Sequence, residues 1–328
     1  MTIQKLADGI FVDTEKTYKI KNLDAIIFDC DGVLIDVSNS YDLAIKKTVD
    51  FMLKKIAGID HPNIVTKHMI DGFKVAGGFN DEVDVTYSLI LSIAAAKKMN
   101  EPIPEFINEV TKNADQTGIL SVEKYLNSLN VDISEIRDKL AYPGPRDSNL
   151  LNSTFDEIFY GTKLYYQLNK REPKFFDGKG LIDNDIVLVK KELIDKLRSK
   201  FGRKISIVSG RGVVSAKYSL GELLDEFDLK NSRFLEDEPR ENAKPNPRPL
   251  VSCIKGLRSS CAVFVGDSME DYIMARKSEE IGNCTLFCGI YGTSKDPEAK
   301  LKLFEQKNAD IILETIDLIP KALNLVEA

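Results

Sequence analysis

The sequence predicts an α/β protein, a doubly wound parallel sheet carrying an all-helical insertion, and three observations predict it. A short apolar run, residues 23–28, stops abruptly at Asp29-Cys30-Asp31-Gly32; helical spacing with no convincing strand fills the next stretch; and strand and helix alternate from about residue 183 onward. An uninterrupted apolar strand is one buried on both faces, and regular alternation implies parallel strands joined by crossover helices.

Composition narrows the function classes. A chain of 328 residues has the length of about two domains, so a disulfide-stapled peptide is excluded. With 43% hydrophobic and 29% charged residues, it has too many apolar side chains for a disordered chain and no run suited to a membrane span. Lys and Arg total 45 against 51 Asp and Glu, a net charge of −6 with no basic block. Neither a nucleic-acid surface nor an anionic-membrane surface is indicated, whereas a small anionic ligand stays open if positive charge is concentrated locally. The five cysteines, Cys30, Cys253, Cys261, Cys284 and Cys288, are odd in number and lie in apolar or strand-like stretches, which favours reduced, buried thiols. The opening MTIQKLADGIFVD does not resemble a secretion signal, and the expected location is cytoplasmic.

In chain order, residues 1–20 read as a small hairpin attached to the core edge, and 23–28 as the first buried strand. Tyr41, Ala44, Ile45, Thr48, Met52 and Ile56 then recur at helical spacing, and the same periodicity returns at 82–98, 104–112, 121–129, 133–140 and 150–160. The alternating part starts with a helix near 186–200, the strand KISIV at 204–208, a helix after Gly212 and a short strand near 233–235. It continues with a helix near 248–257, the strand CAVFV at 261–265, a helix near 270–277, the strand CTLF at 284–287, and a last strand and helix between 310 and 325. The simplest architecture is a Rossmann-like core made of 1–37 and 183–328, interrupted by a helical domain of 38–182.

Four polar clusters follow, or nearly follow, apolar strands: Asp29-Cys30-Asp31-Gly32-Val33-Leu34, Ser209-Gly210-Arg211, Lys244-Pro245 and Gly266-Asp267-Ser268-Met269-Glu270-Asp271. In a parallel sheet the strand C-termini share one edge, where ligands of doubly wound folds bind, so the clusters are expected to meet in one site. Their types and order resemble the four motifs of the haloacid dehalogenase superfamily. The insertion between the first and second clusters corresponds to that family's helical cap, and parts of it, with GLIDNDIVLVKKEL downstream, resemble a phosphatase-like branch.

The residues make chemical sense for phosphate-ester hydrolysis. A carboxylate nucleophile divides a very slow reaction into the formation and hydrolysis of an aspartyl-phosphate, and Asp29 is the candidate. Asp31, two positions on, points the same way along an extended strand, and is the candidate acid that protonates the leaving oxygen and then the base that activates water. It must begin neutral, which nearby negative charge favours. Asp29, Asp267 and Asp271 outnumber Lys244, so a phosphate dianion would be repelled without a divalent cation. Carboxylate and carbonyl oxygens with no clustered His or Cys favour Mg²⁺. The resemblance implies that Asp29, Asp267 and the backbone carbonyl of Asp31 hold it, with Asp271 orienting its waters or Lys244. Ser209, with backbone N–H groups near a helix start including that of Gly210, and Lys244 would hold the phosphoryl oxygens.

Other polar residues carry less. Asp36 reads as the start of the first helix of the insertion or a loop brace, and Arg211 is divided between helix-start packing and substrate contact. Gly77-Gly78-Phe79-Asn80-Asp81-Glu82 is a flexible loop opening a helix, with Asn80 or Asp81 as its cap. Lys74 and Arg146 are basic residues beside glycine-containing loops, placed for the far end of a substrate only if they are not simply solvated. His61 and His68 lack partners for metal ligation. The expected function is a Mg²⁺-dependent phosphatase of a small phosphorylated metabolite, the cap closing to exclude water before hydrolysis. A phosphomutase using the same two aspartates is one alternative, and a non-catalytic phosphate-ligand binding protein is another.

Overall fold

The structure, a computed structural model, describes residues 2–79, 81–145 and 149–327; Asn80 and Arg146 lie outside the described residues. The chain forms two compact units, one of Met1–Asp36 with Ile186–Ala328 and one of Val37–Asp185. The first begins with strands β1 (Ile3–Ala7) and β2 (Ile10–Asp13), helix α1 (Thr17–Lys21), β3 (Ala25–Phe28) and β4 (Ile35–Asp36). The second contains α2 (Tyr41–Met52), α3 (Lys67–Val75), α4 (Glu82–Met99), α5 (Ile103–Lys112), α6 (Ile119–Ser128), α7 (Ser134–Leu140) and α8 (Leu150–Asn169). The chain re-enters the first unit through β5 (Ile186–Val187), α9 (Lys191–Phe201), β6 (Ile205–Ser209), α10 (Val213–Leu220), β7 (Arg233–Phe234) and α11 (Arg248–Gly256). It ends with β8 (Ala262–Gly266), α12 (Met269–Glu280), β9 (Thr285–Ile290), α13 (Pro297–Gln306), β10 (Ile311–Leu313) and α14 (Ile319–Glu327).

The main sheet of the α/β unit has the order β1-β2-β10-β9-β8-β3-β6-β7. From β10 to β7 all neighbours are parallel, while β1 and β2 form an antiparallel hairpin whose inner strand pairs with β10. Strand β3 is buried along its whole length because it lies between β8 and β6 with helices on both faces. Alternate residues divide between two layers: Ala25 and Ile27 join Leu250, Phe264, Met274 and Phe287, whereas Ile26 lines the opposite face with Val263, Val265 and Ile319.

Some elements depart from the sequence reading. The helix expected from residue 186 starts at Lys191, because Ile186 and Val187 instead pair antiparallel with Ile35 and Asp36. Asp36 is therefore a strand residue, and Ser40 occupies the cap position of α2. The periodicity that fades at residue 160 belongs to a helix that continues to Asn169 across a break at Gly161, where φ is 69° and ψ 169°. A side chain there would strike the backbone of Gly180. The short α3 and α13 are additional elements that the periodicity did not mark out.

In the helical unit, α4 is buried nearly all round from Val83 to Ala96, as suits the central helix of a bundle. Asp81 caps it by accepting from the Val83 amide at 2.9 Å. Lys74 pairs with Glu82 at 3.6 Å, and His61 and His68 are exposed.

The cysteine expectation needs correction. Cys261 and Cys284, just before the adjacent parallel strands β8 and β9, form a disulfide; Cys30, Cys253 and Cys288 are buried and form no disulfide. An odd count concealed the pair because strand adjacency, not sequence spacing, brings the two together. Among the described residues no helix is long and apolar enough to cross a membrane.

At the opposite edge from the polar clusters, Asp24 ties the start of β3 to the segment before β8. It accepts from the Ser259 hydroxyl at 2.5 Å, the Ser260 and Cys261 amides at 3.1 Å, and the Lys204 ammonium at 2.7 Å. Burial pushes its pKa up, but these donors outweigh burial and hold it at about 2. A depressed folded-state pKa contributes stability above the unfolded value of 3.8 that is lost as pH falls through 2. Because the group is partly exposed, Asp24→Asn should cost only about 1 kcal/mol at pH 7. In urea unfolding, the gap between variant and wild type should narrow as pH falls from 4 towards 2.

Candidate active site

All four polar clusters lie in the α/β unit and meet at the C-terminal end of β3, the second of them through the contact of Arg211 with Asp31. Pairing of Phe28 with Val265 on β8 and Ile207 on β6 puts Asp29 beside the ends of both strands. The carboxylates of Asp29, Asp267 and Asp271 each offer an oxygen, and these oxygens lie within 4.8 Å of one another. The Lys244 ammonium sits 2.7 Å from Asp29 Oδ1 and 2.6 Å from Asp271 Oδ1. Lys244 and Asp29 are nearly inaccessible and Asp271 wholly so.

Local sequence explains this convergence. After Asp29 the chain folds back, the Cys30 carbonyl accepting from the Leu34 and Ile35 amides. Gly32 makes that fold possible with φ at 77°, and a Cβ there would lie 2.5 Å from Asp267 Cγ. Ser268 caps α12 by accepting from the Asp271 amide at 3.2 Å, while its hydroxyl donates to Asp271 Oδ2 at 2.7 Å. Asp271 thereby keeps Oδ1 for Lys244.

Electrostatics follow from burial. Burial raises the Asp29 pKa well above the usual carboxylate range, the Asp271 charge adds to the rise, and Lys244 opposes it. Burial alone would lower the Lys244 pKa, but the charges of Asp271 and Asp29 outweigh it and the pKa is raised. Glu270, also buried, is raised by desolvation.

In the Ser209-Gly210-Arg211 cluster the arginine turns toward Asp31. Arg211 is buried: Nε lies 2.8 Å from Asp31 Oδ1 and Nη1 donates to the Ser219 hydroxyl at 2.8 Å. Its guanidinium therefore braces Asp31. The amides at the start of α10 are also engaged, Gly212 with Glu236 and Val213 with Asp237, both at 2.8 Å. The buried Ser209 hydroxyl oxygen accepts from the Arg211 amide at 3.2 Å, and Gly210 is exposed.

Two residues outside the motifs contribute. Lys300 on α13 donates to Asp267 Oδ2 at 2.9 Å and to its carbonyl at 2.6 Å, and Thr293 donates to the Gly32 carbonyl at 2.7 Å. Both follow β9 on the same sheet edge. The rule that located the four clusters would have included this segment had β9 been read through to Ile290.

A family model described as haloacid dehalogenase-like hydrolase matches residues 23–278. The chain belongs to that family. It is 23% identical over 307 residues to imidazoleglycerol-phosphate dehydratase of Phytophthora nicotianae, an alignment covering 90% of this chain and 52% of that protein. The chain thus spans about half the length of this curated relative. Among solved structures, it is similar to phosphatase Tt82 from Thermococcus thioreducens, with 23% identity, 85% of this chain and 98% of that chain covered, and a TM-score of 0.55. A haloacid dehalogenase-like hydrolase from Bacteroides fragilis is 15% identical, with 90% and 99% coverage and a TM-score of 0.50.

Removing Lys244 would leave two buried carboxylates without their shared cation. Lys244→Met is expected to lower stability by about 3–5 kcal/mol in metal-free buffer at pH 7, the usual cost of breaking a buried ion pair. Urea unfolding with chelator present measures it.

Proposed function

We propose that this hydrolase is a Mg²⁺-dependent phosphatase acting on a small phosphorylated metabolite through an aspartyl-phosphate on Asp29. The observation that carries the reading is the meeting of Asp29, Asp267 and Asp271 at the end of the central strand, with Lys244 shared by Asp29 and Asp271. The inserted helical unit is read as the family's cap.

The donor set fits the metal. Mg²⁺ takes oxygen ligands at about 2.0–2.1 Å in an octahedron, which sets neighbouring ligand oxygens about 3 Å apart and opposite ones about 4 Å apart. Carboxylate oxygens already within 4.8 Å need little movement to reach that geometry. Asp29 and Asp267 would hold the ion with the Asp31 carbonyl, and Asp271 would steady the arrangement through Lys244. With Asp31 protonated, as its acid role requires, Asp29, Asp267 and Asp271 balance Lys244, Arg211 and Lys300, so the site holds no surplus positive charge to meet that of an entering phosphate dianion. When bound, the cation would offset that charge and stabilise the charge on the transferring phosphoryl group.

In the proposed first step, an Asp29 carboxylate oxygen attacks phosphorus and the bond from phosphorus to the ester oxygen breaks. Asp31 gives its proton to that oxygen. In the second step a water oxygen attacks the aspartyl-phosphate and Asp31 takes the water proton, releasing phosphate and restoring the Asp29 carboxylate. Ser209 and Lys244 orient the phosphoryl oxygens. Asp31 enters the cycle protonated, so its link to Arg211 must loosen or shift to the unprotonated oxygen when substrate binds. Arg211 then serves to aim Asp31 rather than to contact the ester.

Asp29→Asn should abolish phosphate release from a generic aryl phosphate with Mg²⁺ while leaving the circular dichroism spectrum intact; persistent turnover would exclude this nucleophile. Asp31→Asn should slow alkyl phosphates by roughly 10²–10⁴-fold and aryl phosphates much less, because a phenolate departs without a proton. Equal losses on both would remove the acid role.

A further inference from the structure

Lys300 lies outside the four motifs yet touches a carboxylate of the cluster. Its placement follows from packing. On α13, Phe304 is one helical turn beyond Lys300 and on the same face. Phe304 is buried and meets Phe287 edge-on with centroids 5.5 Å apart, which docks the helix on the sheet. Lys300 consequently reaches the sheet edge and grips Asp267 twice, through Oδ2 and the main-chain carbonyl. On its other side the Asp267 carboxylate lies flush against Gly32, whose carbonyl is held by Thr293 from the turn before α13.

We propose that Lys300 is a positioning residue that aims the Asp267 carboxylate at the metal, a role that rests on the Mg²⁺ reading above. Two effects of its charge oppose each other. An ammonium beside a ligand repels an incoming cation, but it also restrains a carboxylate that two neighbouring carboxylates push away. Lys300 and Asp267 side chains are 21% and 22% exposed, so water takes up part of the repulsion, whereas contact with two oxygens of one residue, at 2.6 and 2.9 Å, fixes that residue's main chain and side chain together. Restraint therefore outweighs repulsion, and loss of Lys300 weakens metal binding.

Calorimetric titration of the substrate-free full chain with MgCl₂ tests this without recourse to turnover. Lys300→Met and Lys300→Gln should each raise the Mg²⁺ dissociation constant about tenfold, the lower end of the range for partners that orient metal ligands. Lys300→Arg, which keeps a charged donor, should recover most of the loss. The Mg²⁺ concentration for half-maximal phosphate release should rise by the same factor, and added Mg²⁺ should restore the rate. Circular dichroism and melting temperature check that each variant is folded. Unchanged or tighter binding in the folded neutral variants, or no recovery with arginine, would overturn the assignment while leaving the phosphatase reading standing. Failure of the native chain to bind Mg²⁺ saturably would overturn both.

Discussion

The constraint on which the site depends is the sharing of one buried ammonium by two buried carboxylates. Bringing Asp29 and Asp271 out of water is costly, and no amount of apolar packing around them offsets unpaired charge. Lys244 offsets it at 2.7 and 2.6 Å, and it is supplied by a segment more than 200 residues after Asp29. The pairing therefore ties the loop after β3 to α12 and to the turn before α11. It also determines which oxygens remain for other partners, since Asp271 gives its second oxygen to Ser268.

How much of this could be read from sequence differs by level. Buried parallel strands are legible because their whole length is apolar, and β3, β6 and β8 end in the polar residues that a shared sheet edge requires. Motif order added what strand pattern lacks, namely which distant ends meet. Pairings that depend on side-chain reach were not legible. Arg211 stands two residues after Ser209 in sequence and is divided there between packing and ligand contact; only the fold shows its guanidinium directed to Asp31. Glu236 and Asp237 give no signal of their own, yet they take the Gly212 and Val213 amides at the start of α10. The Cys261–Cys284 pair escaped notice for a similar reason, because neighbouring strands in a parallel sheet come from remote sequence.

The Arg211–Asp31 pair fixes an orientation. Arg211 is buried and held at two points, Nε beside Asp31 Oδ1 and Nη1 on the Ser219 hydroxyl, so its guanidinium cannot swing freely. In the proposed cycle a planar donor fixed in this way sets where the Asp31 carboxyl points, which a flexible lysine at the same place would do less well.

The two sides of the cluster differ in wetness, and the difference matches the division of labour. Asp29, Lys244 and Asp271 have side chains 8%, 3% and 0% exposed, whereas Asp267 and Lys300 are about one-fifth exposed. Charges interact several times more strongly in a poorly solvated environment than in water, so the dry side is where fixed groups act most strongly on charge that develops during bond making. On the wetter side water reaches the carboxylate, as a site must allow if an ion is to enter with part of its hydration shell and leave again. Lys244 therefore pairs with two carboxylates out of water, while Lys300 holds Asp267 where water can still reach it.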